Sequence, residues 1–160
     1  MTDSSQDTIM LVDDEQMVVR SLEGFLTLEM PYRVLSFCSP LEALAAAETE
    51  KSLRVVVADF MMPEMDGVSF LKEMRRVQPE ATRLLLTGYA DKENAIRAIN
   101  EAGLYYYLEK PWDNEHFKLV VRNGVERSSL FNELSSRVSA LESAHAELSG
   151  FREKLVRAFL

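Results

Sequence analysis

Apolar runs of strand length alternate with stretches of helical period through most of this chain. Ile9-Met10-Leu11-Val12 is a short unbroken apolar run, the pattern of a strand covered on both faces, and it stops at Asp13-Asp14. Glu15 to Leu28 carries Val18, Leu22, Phe25 and Leu26 at helical spacing, with Pro31 closing the segment. Arg33 to Cys38 reads as a second strand. Ser39 and Pro40 then supply an N-cap and a first helical residue for the alanine-rich Leu41 to Glu48. Leu53 to Ala58 is a third strand ending at Asp59, and Pro63 and Gly67 mark the loop behind it. Val68 to Val77 is a helix with Phe70, Leu71 and Met74 inward. Thr82 to Leu86 is a fourth strand ending at Thr87-Gly88, and Asp91 caps a helix that runs to Ala102 and stops at Gly103. Leu104 to Leu108, with Tyr105 and Tyr106 as sheet residues, is a fifth strand ending at Glu109-Lys110-Pro111. Asp113 or Asn114 caps a last helix.

Five strand–helix pairs with short links predict right-handed crossovers, a single parallel sheet and helices on both faces. The expected fold is α/β, a doubly wound, flavodoxin-like sheet of strand order 2-1-3-4-5 with a long C-terminal helical extension. Residues 1–7 are expected to be a flexible N-terminus, 8–127 the α/β domain, and 128–160 a helical tail.

Composition narrows the setting. The 160 residues are 47% hydrophobic, ordinary for a globular chain, and long enough for a core without disulfides or a structural metal. The formal charge of −8 argues against a nucleic-acid surface, where affinity comes largely from Lys and Arg. Cys38 is the single cysteine, which excludes intramolecular disulfides and Cys-based metal clusters. Residues 1–8 lack the basic and apolar regions of a signal peptide, and no apolar run approaches the roughly 20 residues of a membrane-spanning helix. A soluble, cytoplasmic protein with no membrane partner is expected.

Four of the five strands end on residues with phosphate or metal chemistry: Asp13 and Asp14, Asp59, Thr87, and Lys110. In an open parallel sheet the carboxyl ends share one edge, and ligands bind there where the strand order reverses. Residues spread over about 100 positions therefore converge on one crevice. Three carboxylates together repel one another unless a cation sits among them. One lysine cannot neutralise three, and an all-oxygen donor set without His or Cys suits Mg²⁺. Lys110 and Thr87 add a cation and a hydroxyl, the groups that phosphoryl transfer uses for positioning and charge neutralisation.

The runs Val12-Asp13-Asp14-Glu15, Asp59-Phe60-Met61-Met62-Pro63-Glu64-Met65-Asp66-Gly67, Thr87-Gly88-Tyr89-Ala90 and Tyr107-Leu108-Glu109-Lys110-Pro111 closely resemble receiver domains of two-component response regulators. The resemblance covers about residues 8 to 125. It implies that Asp59 is the phosphoacceptor and that Asp14 binds Mg²⁺ directly, Asp13 mainly through water, and Met61 through its backbone carbonyl. Thr87 and Lys110 would hold phosphoryl oxygens, and Pro111 would fix the loop behind Lys110, where the family commonly has a cis peptide. Tyr107 resembles the aromatic switch that turns inward when Thr87 moves. Gly88 departs from the family's usual small residue such as alanine, which loosens the switch loop. A sensor histidine kinase is the implied phosphodonor, and no enzymatic activity is expected beyond assisting its own phosphorylation and dephosphorylation. The methionines of the loop read as packing residues, and His116 reads as a surface residue without a role.

Beyond about Arg127 the pattern changes. Leu134, Leu141, Leu148 and Leu155 recur at sevens, with Phe131, Val138 and Phe159 on the partner seam, as in a coiled coil of about four heptads. His145 and Arg152 interrupt that seam, and Gly150, on the outer face, costs roughly 1 kcal/mol against alanine. The favoured reading is a parallel homodimer, in which Arg137 and Glu142 face each other; the alternative is a helix packing back on its own domain. The last helix with its tail would reach ~65 Å, longer than the domain that carries it. The run Lys110-Pro111-Trp112-Asp113 together with the tail resembles receivers joined to enzymatic outputs such as cyclic-dinucleotide enzymes, phosphatases or kinases. The chain is expected either to precede an absent output domain or to act through partner contacts.

Two other functions fit parts of the pattern. A haloacid-dehalogenase-type phosphatase also uses Asp, Thr, Lys and Mg²⁺, but needs a second Asp two residues after the nucleophile, where this chain has Met61. A phosphorylation-independent interaction module would lack a site residue, and none is missing.

Overall fold

The computed structural model describes residues 6–88 and 92–159; of residues 92 and 94 only the backbone is described. The expected Asp91 cap, the motif residues Tyr89 and Ala90, and positions 1–5 of the expected flexible segment lie outside the described residues. Gln6 and Asp7 are already tied to the fold. The Gln6 amide donates to the Pro31 carbonyl at 2.9 Å, and Arg54 donates to the Asp7 carboxylate at 2.9 Å.

In chain order the elements are β1 (Thr8–Val12), α1 (Gln16–Glu29), β2 (Arg33–Phe37), α2 (Pro40–Ala47), β3 (Leu53–Asp59) and α3 (Gly67–Val77). They continue with β4 (Thr82–Thr87), α4 (Lys92–Ala102), β5 (Tyr106–Glu109) and α5 (Asn114–Phe159). The five strands form one parallel sheet of order β2-β1-β3-β4-β5, the expected doubly wound topology. The central strands β1, β3 and β4 are buried almost throughout, which is why they read as continuous rather than alternating apolar runs. Side chains of the sheet divide between two cores. Met10, Val56, Leu85, Phe70, Leu71 and Met74 pack with the alanines of α2 and α4, while Ile9, Leu11, Val57, Leu84 and Leu86 pack with Leu22, Leu26 and Phe117.

Local chemistry fixes the helix starts. Ser39 Oγ accepts from Glu42 N with Pro40 at the first position, as its sequence predicts. Of the two candidates for α5, Asp113 is the cap, accepting from His116 N at 2.8 Å. At α3 the cap is Asp66, which accepts from Ser69 N at 2.9 Å, so the helix starts at Gly67 rather than Val68. In α1 the fully inward residues are Val19, Leu22 and Leu26, with Val18 and Phe25 flanking the core.

The fifth strand begins two residues later than its sequence suggests. Gly103 turns the chain at φ +62°, and Tyr105 N donates to Arg83 O at 3.0 Å before the ladder with β4 starts at Tyr106. Leu104 is apolar because it closes the end of the core, not because it pairs in the sheet.

The chain divides into two compact units, Met1–Ser128 and Ser129–Leu160. The second is a continuation of α5 that leaves Leu134, Leu141, Leu148 and Leu155 between 43% and 70% exposed. Within it, Arg137 donates to Glu133 at 2.7 Å along the same helix. No described helix is long and apolar enough to cross a membrane.

Candidate functional site

The carboxyl edge of the sheet brings the acidic residues together. Asp13 follows the last residue of β1, Asp59 ends β3, and β1 and β3 are paired neighbours. Ligand oxygens of Asp13, Asp14 and Asp59 all lie within 4.8 Å of one another. Asp13 and Asp59 are buried whereas Asp14 is exposed, so the cluster has a closed side and an open side. Lys110, carried just beyond β5, crosses over β4 to reach it. Its Nζ lies 2.8 Å from Asp59 Oδ1 and 3.4 Å from Asp13 Oδ2. Lys110 N donates to Thr87 O at 2.8 Å, which registers the lysine against the end of β4. The Lys110–Pro111 peptide is cis, as the motif implied.

The charges are imperfectly balanced. Burial raises the Asp13 carboxyl to about 6, against the opposing hydrogen bond from Glu15 N at 2.9 Å, and the nearby Asp59 charge raises it further. Asp59 is also raised, by burial first, although Lys110 pulls it down. The Lys110 ammonium is raised because its two carboxylate neighbours outweigh its burial. One ammonium thus serves three carboxylates, and the site retains an appetite for positive charge.

Thr87 supplies the second telling feature. Its hydroxyl is fully buried and has no hydrogen-bond partner among the described residues. A buried unpaired hydroxyl costs about 1–3 kcal/mol, so a ligand oxygen reaching it recovers that free energy. Oxygen donors for a hard cation and an unspent hydroxyl beside a lysine suit a metal and a phosphoryl group together.

The loop after β3 closes the other wall. Met61 is 67% exposed and lines, with Asp14, Phe60, Met62, Pro63 and Asp66, a groove of about 330 Å³. The loop is held down at Gly67, whose N–H donates to Phe60 O at 2.9 Å. A Cβ there would stand 2.9 Å from Phe60 Cα and Leu85 Cδ1 and would collide with the Asp59 carbonyl oxygen. The sequence marks Gly67 only as a loop residue, although the Asp66-Gly67 pair signals a position where glycine permits this close approach.

Tyr107 is half-buried and packs against the core face that includes the alanines of α4. Tyr106 is more exposed, stacks on Tyr107 with centroids 6.2 Å apart, and meets the edge of His116 at 5.6 Å. Asp13, Asp14, Asp59 and Lys110 therefore meet in one cluster, Met61 lines the groove beside Asp14, Thr87 meets Lys110 through its backbone carbonyl, and Pro111 follows Lys110 while Tyr107 precedes it by three residues.

Comparison with known proteins agrees with this geometry. The family description "Response regulator receiver domain" matches residues 9–122. The hydrogenase transcriptional regulatory protein HoxA of Cupriavidus necator is 40% identical over 125 residues, covering 78% of this chain and 25% of HoxA. Regulatory protein AtoC of Escherichia coli is 32% identical over 142 residues, 85% of this chain and 29% of AtoC. The chain thus spans between a quarter and a third of the length of these relatives. Among solved structures, the signal receiver domain of an HD domain-containing protein from Pseudomonas fluorescens Pf-5 superposes with TM-score 0.76 at 30% identity. That match covers 83% of this chain and 96% of that one.

Proposed function

The chain belongs to the response regulator receiver domain family, and from that premise we propose that it is a Mg²⁺-dependent phosphorylation switch whose phosphoacceptor is Asp59. The observation that carries this reading is the meeting of three carboxylates within 4.8 Å, with Lys110 Nζ 2.8 Å from Asp59. A sensor histidine kinase supplies the phosphoryl group. An Asp59 carboxylate oxygen attacks phosphorus, an O–P bond forms, and the N–P bond to the kinase histidine breaks, its electrons staying with the imidazole.

Asp13, Asp14, Asp59 and the backbone carbonyl of Met61 are the residues that would hold Mg²⁺. The ion supplies charge neutralisation to the carboxylates and to the incoming phosphoryl oxygens. Lys110 orients the Asp59 carboxylate beforehand and afterwards holds a phosphoryl oxygen. Thr87, with its unspent hydroxyl, moves to bond another. Tyr107, already half-buried, turns further inward as Thr87 moves, and the surface formed by α4, β5 and α5 changes. Pro111 keeps Lys110 in position.

The tail carries the change onward as a parallel homodimeric coiled coil. Its support is the row of leucines at sevens, all exposed in the single chain. The output is a further domain or a partner protein; HoxA and AtoC are named as regulatory proteins, and this chain covers 25% and 29% of their lengths. The acidic balance of charge, −8 overall, disfavours direct contact of this chain with nucleic acid.

A small phosphodonor with Mg²⁺ tests the assignment. Wild-type protein should acquire an acid-stable, base-labile label, and Asp59→Asn should acquire none; equal labelling of the two would refute it.

A further inference from the structure

At the amino edge of the sheet, opposite the acidic cluster, three arginines from different elements come together near Gly103. Arg83 is the second residue of β4, Arg75 lies in the last turn of α3, and Arg127 lies on α5. We propose that this cluster binds a small phosphate-bearing anion at a second site, remote from Asp59.

Two of the guanidinia share one gap. Gly103 turns the chain at φ +62°, and the point where a Cβ would stand is 3.1 Å from Arg83 Nη2. The same point is 3.3 Å from Cζ and Nη1 of Arg75. Both groups therefore line the space that glycine leaves, close enough for one tetrahedral oxyanion to accept from both. Gly103 is only half-buried and Arg75 is exposed, so the gap reaches solvent. Arg83 is 5% exposed and firmly held. Its Nε donates to Ala102 O at 2.9 Å, Nη1 to Ala81 O at 3.0 Å and Pro79 O at 3.4 Å, and Nη2 to Gly103 O at 3.2 Å. A guanidinium has two N–H groups on Nη2, and the second has no acceptor among the described residues. The nitrogen with a proton to spare is the one that faces the gap.

The charges there are also unanswered. Burial first, and then the charges of Arg75 and Arg127, hold the Arg83 guanidinium down to about 10, so it stays protonated at neutral pH. Arg75 makes no ion pair or hydrogen bond among the described residues, whereas its neighbour Arg76 pairs with Glu73 at 3.3 Å. The guanidinium carbon of Arg127 sits 4.9 Å from the centroid of the Tyr105 ring, which fixes a third positive charge nearby. Carbonyl dipoles at the ends of α3 and α4 offset roughly half a charge per helix. Three guanidinia exceed that, and a dianion matches the surplus better than a carboxylate does. The formal charge of −8 repels a long polyanion such as nucleic acid, but a small ion responds chiefly to groups within about 8 Å.

The full chain is titrated with inorganic phosphate in EDTA, where the metal-free acidic cluster repels anions, at an ionic strength held constant with chloride. The Gly103 amide and the Arg83 Nε–H resonances report on the gap, and both should shift saturably at about millimolar phosphate. Acetate, with one charge, should bind about tenfold or more weakly. Arg75→Gln should weaken phosphate binding about ten- to a hundredfold, the range of one charge-assisted hydrogen bond, at an unchanged melting temperature. Arg75→Lys keeps the charge without the planar fork and should fall between. Arg76→Gln removes the same charge one residue away and should change affinity by less than about threefold. Ribose 5-phosphate, run in parallel, distinguishes two sources of the same chemistry: equal or tighter binding assigns the site to a phosphate ester, weaker binding to free phosphate. Absence of a saturable shift, equal affinity in Arg75→Gln and wild type, equal losses in Arg75→Gln and Arg76→Gln, or tighter binding of a single-stranded oligodeoxynucleotide would each overturn the proposal. Because neither Mg²⁺ nor a phosphodonor is present, these results stand whether or not Asp59 is phosphorylated in other experiments.

Discussion

Replacing Asp13 by Asn should make the metal-free protein more stable, although the residue belongs to the site. Asp13 is 2% exposed, and burial lifts its carboxyl from the ordinary 3.8 to about 6. At neutral pH the folded protein therefore keeps a charge there that the unfolded chain holds more comfortably. At about 1.4 kcal/mol per pH unit, that rise corresponds to a destabilisation of up to roughly 3 kcal/mol. Asparagine removes the charge and retains an oxygen for the Glu15 N–H, while Lys110 keeps its closer partner, Asp59. The sign follows from the raised value. The penalty is fully present above pH 6 and fades as pH falls from about 6 towards 4, where both states of the chain become protonated. Urea unfolding in EDTA at pH 7.5 should give Asp13→Asn an advantage of about 1–3 kcal/mol, shrinking towards zero near pH 4. Added Mg²⁺ should stabilise the wild type by mass action and narrow the gap, because binding to the native state alone raises its stability. An Asp13→Asn protein less stable than wild type in EDTA at pH 7.5 would refute the reasoning.

Other substitutions separate structure from switching. Thr87→Val keeps the shape and removes an unpaired buried hydroxyl, so it should stabilise the unphosphorylated domain by up to about 1 kcal/mol in thermal melts while abolishing the response to beryllofluoride. Gly67→Ala should lower stability by about 1–3 kcal/mol in denaturant titrations and slow labelling, since the new methyl displaces backbone next to Asp59. Lys110→Met leaves the buried carboxylates without their cation. It should reduce labelling by a small phosphodonor at least tenfold and make the metal-free protein less stable at pH 7.5 than at pH 5, as read by urea midpoints. Sedimentation of the full chain should show a dimer that a chain ending at Ser128 does not form, and a monomer at all concentrations would end the coiled-coil proposal.

The fold was largely legible because the central strands announce themselves in the simplest way. β1, β3 and β4 are buried on both faces, so their sequences are unbroken apolar runs, and the polar residue that ends each run is the one delivered to the edge. Asp13, Asp59 and Thr87 stand at the ends of those runs, a placement read without knowledge of distances. What the pattern hid depends on contacts across the fold. Leu104 and Tyr105 look like strand because they are apolar and aromatic, yet Gly103 is still turning and Arg83 takes the first bond. Arg83 is a charged residue inside the buried strand β4. Its guanidinium is buried and donates to the carbonyls of Ala81, Ala102 and Gly103, a role no local spacing reveals. The lysine's preference for Asp59 over Asp13, and the contact of His116 with Tyr106, likewise appear only when β5 and α5 are set side by side.

Locating the phosphoryl group by mass spectrometry bears most directly on the central claim. The full chain is incubated with acetyl phosphate and Mg²⁺, reduced with borohydride to convert an acyl phosphate into homoserine, and digested. The account predicts a single converted residue, Asp59, no conversion when EDTA replaces Mg²⁺, and none in Asp59→Asn. Conversion at Asp13 or Asp14 in the wild type, or conversion at Asp59 that is indifferent to Mg²⁺, would contradict it.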